Sequence, residues 1–174
     1  MIERAAGVTH RGRPFTVIGP ILKPGDKAPA FALATKLFFV DTFSLAESAG
    51  KTRLISVVPS LNTGICDAQT RRFNEEVGAY GDKVAAYTIS VDLPVAQQQW
   101  CEAAGISNIQ MLSDYREMSF GAAYGTYIKE LRLEQRAVFV VDGDDIIRYA
   151  EYVPEISQHP NYEAALIVLK EVAG

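Results

Sequence analysis

The chain has 174 residues, 48% hydrophobic and 22% charged, with a net charge of −4 and two cysteines. That balance fits a single globular domain over residues 1–174 with a substantial core, and excludes a disordered chain. The absence of a basic stripe, a membrane-length apolar run and a signal-peptide pattern argues against nucleic-acid and membrane partners and makes a cytoplasmic protein the default reading.

Thr9-His10-Arg11-Gly12-Arg13-Pro14-Phe15 joins apolar stretches through a glycine turn and predicts an N-terminal β-hairpin. A Pro/Gly connector at 22–29 leads to a short strand around 31–33, with another expected at Phe38-Phe39-Val40 and one helical turn begun by Ser44. Residues 54–58 form a continuous apolar strand that stops at Pro59. A helix from about Cys66 to Tyr80 follows, with Phe73, Val77 and Tyr80 on its buried stripe. Residues 84–91 are a second buried strand, and Pro94 opens a helix that ends at Gly105, as helix termini prefer. A short strand at 109–112 and a helix at 118–124 come next. Strands at 136–141 and 146–150 are joined through Asp142-Gly143, a tight hairpin signal. Pro160 starts a last helix with Tyr162, Leu166, Leu169 and Val172 on one face. This order predicts an α/β fold, a central mixed sheet with helices on both faces, the plan of thioredoxin-like folds.

The informative segment is Pro59-Ser60-Leu61-Asn62-Thr63-Gly64-Ile65-Cys66-Asp67. A strand ending at Pro59 and a helix starting at or just before Cys66 place the sulfur in a first helical turn, where unpaired N–H groups and the helix dipole favour an anion. The thiolate is the species that attacks, so this setting activates Cys66 as a nucleophile. The Thr63 hydroxyl can bond the thiolate or an incoming oxygen, or cap the helix. Pro59 removes a backbone donor and stiffens the loop; it can shield the sulfur or simply end the strand.

Pro59, Thr63 and Cys66 match the Pro-x-x-x-Thr-x-x-Cys signature of peroxiredoxins, and the chain resembles their atypical two-cysteine branch, the bacterial thiol peroxidases. The likeness extends over nearly the whole sequence, through residues 66–74, 89–94, 136–142 and 160–166; Asn62 departs from the Asp commoner before the signature Thr. The resemblance implies a peroxiredoxin form of the thioredoxin-like fold and reduction of hydrogen peroxide and organic hydroperoxides. It assigns Cys66 as the peroxidatic cysteine and Cys101 as the resolving one, closing an intrachain disulfide that thioredoxin reduces. It also sets Arg136 against the thiolate and implies a homodimer, with no cofactor. On its own Cys101 reads more readily as a small buried hydrophobe, and Arg136 as a solvated charge at a strand edge. Arg71 and Arg72 lie five and six positions beyond Cys66, poor helical spacing for contact. Two cysteines on separate helices of one sheet need not lie within disulfide reach in the reduced state, which predicts that at least one helix unwinds locally on oxidation.

Other readings are weaker. A cysteine hydrolase needs a histidine base, and His10 and His159 both read as exposed loop residues. A thiol–disulfide exchange protein or redox sensor usually has Cys-x-x-Cys, which is absent; a secreted binding module with a structural disulfide usually has a signal peptide. The scattered Cys and His residues show no metal-ligand spacing, Asp142-Gly143-Asp144-Asp145 is better read as a turn than as a calcium loop, and no phosphate-cradling glycine motif occurs.

Overall fold

A computed structural model describes residues 1–174. Two sheets are present. The first is seven-stranded and mixed, in the order β11(Ile147–Tyr152), β10(Ala137–Val141), β5(Thr52–Val57), β6(Val84–Ser90), β7(Gln110–Ser113), β3(Ala32–Ala34) and β4(Thr42–Ser44). β5, β6 and β7 run parallel, and β10 and β11 complete one side antiparallel. The second sheet is antiparallel and joins the hairpin β1(Glu3–His10) and β2(Arg13–Ile18) to two short strands, β8(Tyr127–Ile128) and β9(Leu133–Glu134).

Central strands buried on both faces read as continuous apolar runs, and their alternating side chains feed two separate cores. Leu54, Ala86, Val138 and Val140 point to one face, where they meet Phe73 and Val77 of α1(Gly64–Val77) and Ala165 and Leu169 of α4(Tyr162–Ala173). Ile55, Val57, Tyr87, Ile89, Phe139 and Val141 point to the other, against Phe31 and against Phe120 and Tyr124 of α3(Ser119–Tyr124). Phe120 and Tyr124 stack with centroids 4.2 Å apart, and Phe31 meets Phe120 edge-on. α2(Pro94–Ala104) lies along β7. No helix is long and apolar enough to cross a membrane.

Beneath α3 two carboxyl groups are buried together. Asp114 accepts the Gly121 amide at 2.8 Å, and Glu134 accepts the Thr126 hydroxyl. A side chain on Gly121 would begin 2.8 Å from both Glu134 oxygens, so glycine is required for this close approach. Burial pushes both carboxyls up, Glu134 well above the ordinary range.

Four local expectations are corrected. Phe38-Phe39-Val40 is not a strand: β3 pairs with β4 as Ala34↔Thr42, so these residues fall in the connection and stay exposed, Phe38 at 89% and Val40 at 90%. The long helix ends at Val77, and a 3-10 segment, Gly78–Lys83, carries Tyr80. The Asp142-Gly143 hairpin is not a two-residue turn, because Val141 pairs with Ile147. The Asp142 carboxylate accepts the Asp144 and Ile146 amides, Asp145 takes the positive φ of 63°, and Gly143 serves instead to let the Gly50 backbone approach. The last helix begins at Tyr162, with the Asn161 side chain accepting from the Ala164 amide at 3.1 Å. The pairs β8 and β9 had no sequence signal.

Candidate active site

The backbone pairing of β5 with β6 runs on to the Val58 amide, which donates to Ile89, and stops at the buried Pro59. The loop that follows is tied down by Asp92, just beyond β6. Its carboxylate accepts the Ser60 hydroxyl at 2.8 Å, the Leu61 amide at 2.9 Å and the Ser90 hydroxyl at 2.7 Å. The Asp67 amide then donates to the Thr63 carbonyl, closing the first turn of α1. Cys66 is the third residue of that helix and is 0% exposed, packed on Val58 and Leu61 with Trp100 and Met111 alongside.

The sulfur has two polar partners. The Thr63 hydroxyl lies 2.7 Å from Sγ and 2.9 Å from the Ser60 carbonyl, and makes no capping bond to the helix. Arg136, 2% exposed, sets Nη1 3.5 Å and Nη2 3.6 Å from the same sulfur. Its fork is aimed by two acceptors, the Gln69 side-chain oxygen and the Ile156 carbonyl, each at 3.0 Å, and Gln69 is itself fixed by donating to the Ser56 hydroxyl at 2.8 Å. A buried cation and a hydroxyl converging on one sulfur are complementary to a thiolate and to negative charge building on the oxygens of a peroxide it attacks. Arg71 and Arg72 face away, paired with Asp67 and with Glu76 and Glu163.

Cys101 lies elsewhere. It is half-buried late in α2, both cysteines are free thiols, and Cys101 lines its own cavity of about 300 Å³ with Pro94, Gln97, Ile106 and Met111. Burial, with the Glu102 carboxylate adding to it, pushes the Cys101 thiol up. A larger cavity, about 550 Å³, opens over Thr63 and Arg136 and is walled by Pro59, Ile65, Leu131, Leu133 and Ile156. His10 also lines it, but its imidazole approaches Glu155 at 3.8 Å and makes no bond to Cys66; the His159 ring meets the Tyr162 hydroxyl. No three His, Cys, Asp or Glu side chains gather as metal ligands.

Sequence reasoning missed Asp92, Gln69 and Ser56. Gln69 could have been flagged: it is polar, three residues beyond Cys66 and so on the sulfur's face of the helix. Asp92 and Ser56 carry no local signal.

The redoxin family pattern matches residues 23–166. The chain belongs to the redoxin family. A thiol peroxidase of Bacillus subtilis is 53% identical over 165 residues, covering 95% of this chain and 97% of its own length. One from Halalkalibacterium halodurans is also 53% identical, covering 95% and 98%. Among solved structures, a peroxiredoxin-like protein from Aquifex aeolicus superposes with a TM-score of 0.86 at 34% identity, covering 97% of this chain and 99% of that one. This redoxin therefore stands with the thiol peroxidases, and its fold is the peroxiredoxin form of the thioredoxin-like plan.

Proposed function

We propose that this chain is a thiol peroxidase that reduces hydrogen peroxide and organic hydroperoxides through Cys66, with residues 1–174 acting as one domain. The observation that carries the reading is the convergence of the Thr63 hydroxyl and the Arg136 guanidinium on a fully buried sulfur at the start of α1. The Cys66 thiolate attacks the terminal O–O bond. The sulfur takes one oxygen and becomes a sulfenic acid, and the other leaves as alkoxide or hydroxide and picks up a proton to give alcohol or water. Arg136 and Thr63 stabilise the charge that shifts from sulfur to the leaving oxygen. Pro59 walls the sulfur off from solvent.

Cys101 then attacks the sulfenic sulfur, expelling water and forming the Cys66–Cys101 disulfide. An external dithiol reduces it through a mixed disulfide, and thioredoxin is the reductant we propose. A disulfide needs Cα atoms within about 7 Å, and the cysteines lie on separate helices, so the reading includes local unwinding of one element on oxidation. We assign that movement to α2, which buries only Pro94 and Gln97. A homodimer in a reducing cytoplasm completes the proposal.

The test follows NADPH consumption with thioredoxin and thioredoxin reductase, using hydrogen peroxide and cumene hydroperoxide. Turnover is expected in wild type, is lost in Cys66→Ser, and in Cys101→Ser fails at recycling while one equivalent of peroxide is still consumed. Oxidation of Cys66 without wild-type turnover favours a sensor. An inert Cys66 sinks the mechanism.

A further inference from the structure

α1 carries a polar stripe on the side away from the reactive sulfur. Asp67, Arg71, Asn74 and Gly78 recur at spacings of four, three and four, so they share one side of the helix and its 3-10 extension. That side faces the end of α2. The Asn74 side-chain oxygen accepts the Ser107 and Asn108 amides at 3.2 and 2.8 Å, and the Asn108 side chain donates back to the Asn74 carbonyl at 3.0 Å. A side chain on Gly78 would begin 2.9 Å from the Asn108 Nδ2, so the bare backbone lets this anchor close.

Arg71 reaches further along α2. Asp67 aims it by accepting from Nε at 2.8 Å. Its Nη1 donates to the Ala104 carbonyl at 3.2 Å, and its guanidinium lies 5.7 Å from the centroid of the Trp100 ring. These two contacts bracket Cys101, one position before it and three after. Upstream, Gln97 is held by Ser90 and the Leu112 carbonyl; downstream, Ser107 and Asn108 are held by Asn74. Between those anchors, Arg71 is the only side chain from another element that hydrogen-bonds to the segment; its other bonds, Gln98 to Glu102 and Cys101 to the Ile106 carbonyl, are internal. Trp100 also packs on the cluster around Cys66, so the ring that Arg71 holds helps to cover the sulfur.

Building on the reading of Cys66 as the peroxidatic cysteine and Cys101 as the resolving one, we propose that Arg71 is a positioning residue that latches the Cys101 segment of α2 onto α1. Its release sets how fast Cys101 reaches the oxidised sulfur. Two fates compete for the Cys66 sulfenic acid. Attack by the Cys101 sulfur forms the S–S bond and expels water, whereas a second hydroperoxide adds one oxygen to give a sulfinic acid and departs as alcohol or water. The latch slows the first fate while the second proceeds, so Arg71 fixes the peroxide level at which the protein is silenced. One hydrogen bond to a carbonyl and one cation–π contact from a half-exposed arginine amount to a factor of roughly three to ten in the opening of α2.

The experiment mixes reduced protein with one equivalent of hydrogen peroxide by stopped flow and follows Trp100, the single tryptophan, while acid-quenched samples are assayed for the disulfide. Wild type is compared with Arg71→Met, Arg71→Lys and Arg72→Met. The last removes the same charge at the adjacent position, which pairs with Glu76 and Glu163 instead. Arg71→Met leaves the rate of Cys66 oxidation unchanged and speeds disulfide formation roughly three- to tenfold. The peroxide concentration that converts half of Cys66 to sulfinic acid, read by mass spectrometry, rises by the same factor. Amide exchange in the reduced protein accelerates in α2 and not in α1. Arg71→Lys keeps most of the wild-type behaviour, because an ammonium still reaches the ring, and Arg72→Met matches wild type. Disulfide formation within about twofold of wild type in Arg71→Met, or equal acceleration in Arg72→Met, overturns the latch. Failure of wild-type Cys66 to react with peroxide would instead sink the underlying assignment of that residue, and a sulfenic acid that never becomes a disulfide would sink that of Cys101.

Discussion

α1 buries Cys66, Gln69, Thr70, Phe73 and Val77, whereas α2, only three residues shorter, buries Pro94 and Gln97 and leaves Val95 44% exposed. The first helix is bolted to the sheet through Phe73 and Val77 and to Arg136 through Gln69. The second hangs largely on one side chain, Gln97, which donates to Ser90 and to the Leu112 carbonyl, and on the left-handed cap at Gly105. Local stability follows buried apolar contact, so the two cysteines sit at opposite ends of the range. The sulfur proposed to meet peroxide in a fixed geometry is on the rigid element. The sulfur assigned the journey is on the yielding one.

The largest expected effect tests the rigid side. Phe73→Ala should cost about 3–5 kcal/mol, as a fully buried aromatic does, while Val95→Ala on α2 should change stability by less than about 0.5 kcal/mol. Urea unfolding followed by circular dichroism measures both, and similar losses would erase the contrast. The next effect concerns timing. Because burial raises the Cys101 thiol, it is protonated at neutral pH, and only its thiolate attacks. Disulfide formation after a peroxide pulse should therefore accelerate about tenfold per pH unit above neutrality until that raised value is passed. A flat profile in rapid-quench experiments would mean that unwinding of α2, rather than ionisation, limits the step. The smallest effect is at Gly105. Gly105→Ala forces alanine into a φ of 67° at about 1 kcal/mol, loosening α2 alone. The disulfide should then form several-fold faster, whereas slower formation would locate the movement elsewhere.

Much of this was legible in the residues, and unevenly so. The runs at 54–58 and 84–91 are apolar because both faces are covered, and their strands fell where expected. Thr63 and Cys66 were legible because a strand stop, a loop and a helix start in succession fix where a side chain must emerge. Arg136 was not: as a lone residue at a strand edge it reads as a surface charge, and only the likeness to peroxiredoxins set it against the sulfur. Gln69, Ser56 and Asp92 act through partners 13 to 67 positions away, and no periodicity encodes such pairings. Phe38-Phe39-Val40 misled for the complementary reason, because β-propensity cannot say whether a partner strand is in register.

The carboxyl pair under α3 has a consequence for the molecule in solution. Asp114 and Glu134 have only amide and hydroxyl donors, with no cation bonded to either. Both are raised by burial, so the folded chain holds a proton that the unfolded chain gives up once pH exceeds the ordinary carboxylate value of about 4. The pH-dependent cost of their burial is absent below that value, and it grows as pH climbs toward the raised one. Between the ordinary carboxylate value and the raised one, folding thus takes up a proton and unfolding releases it.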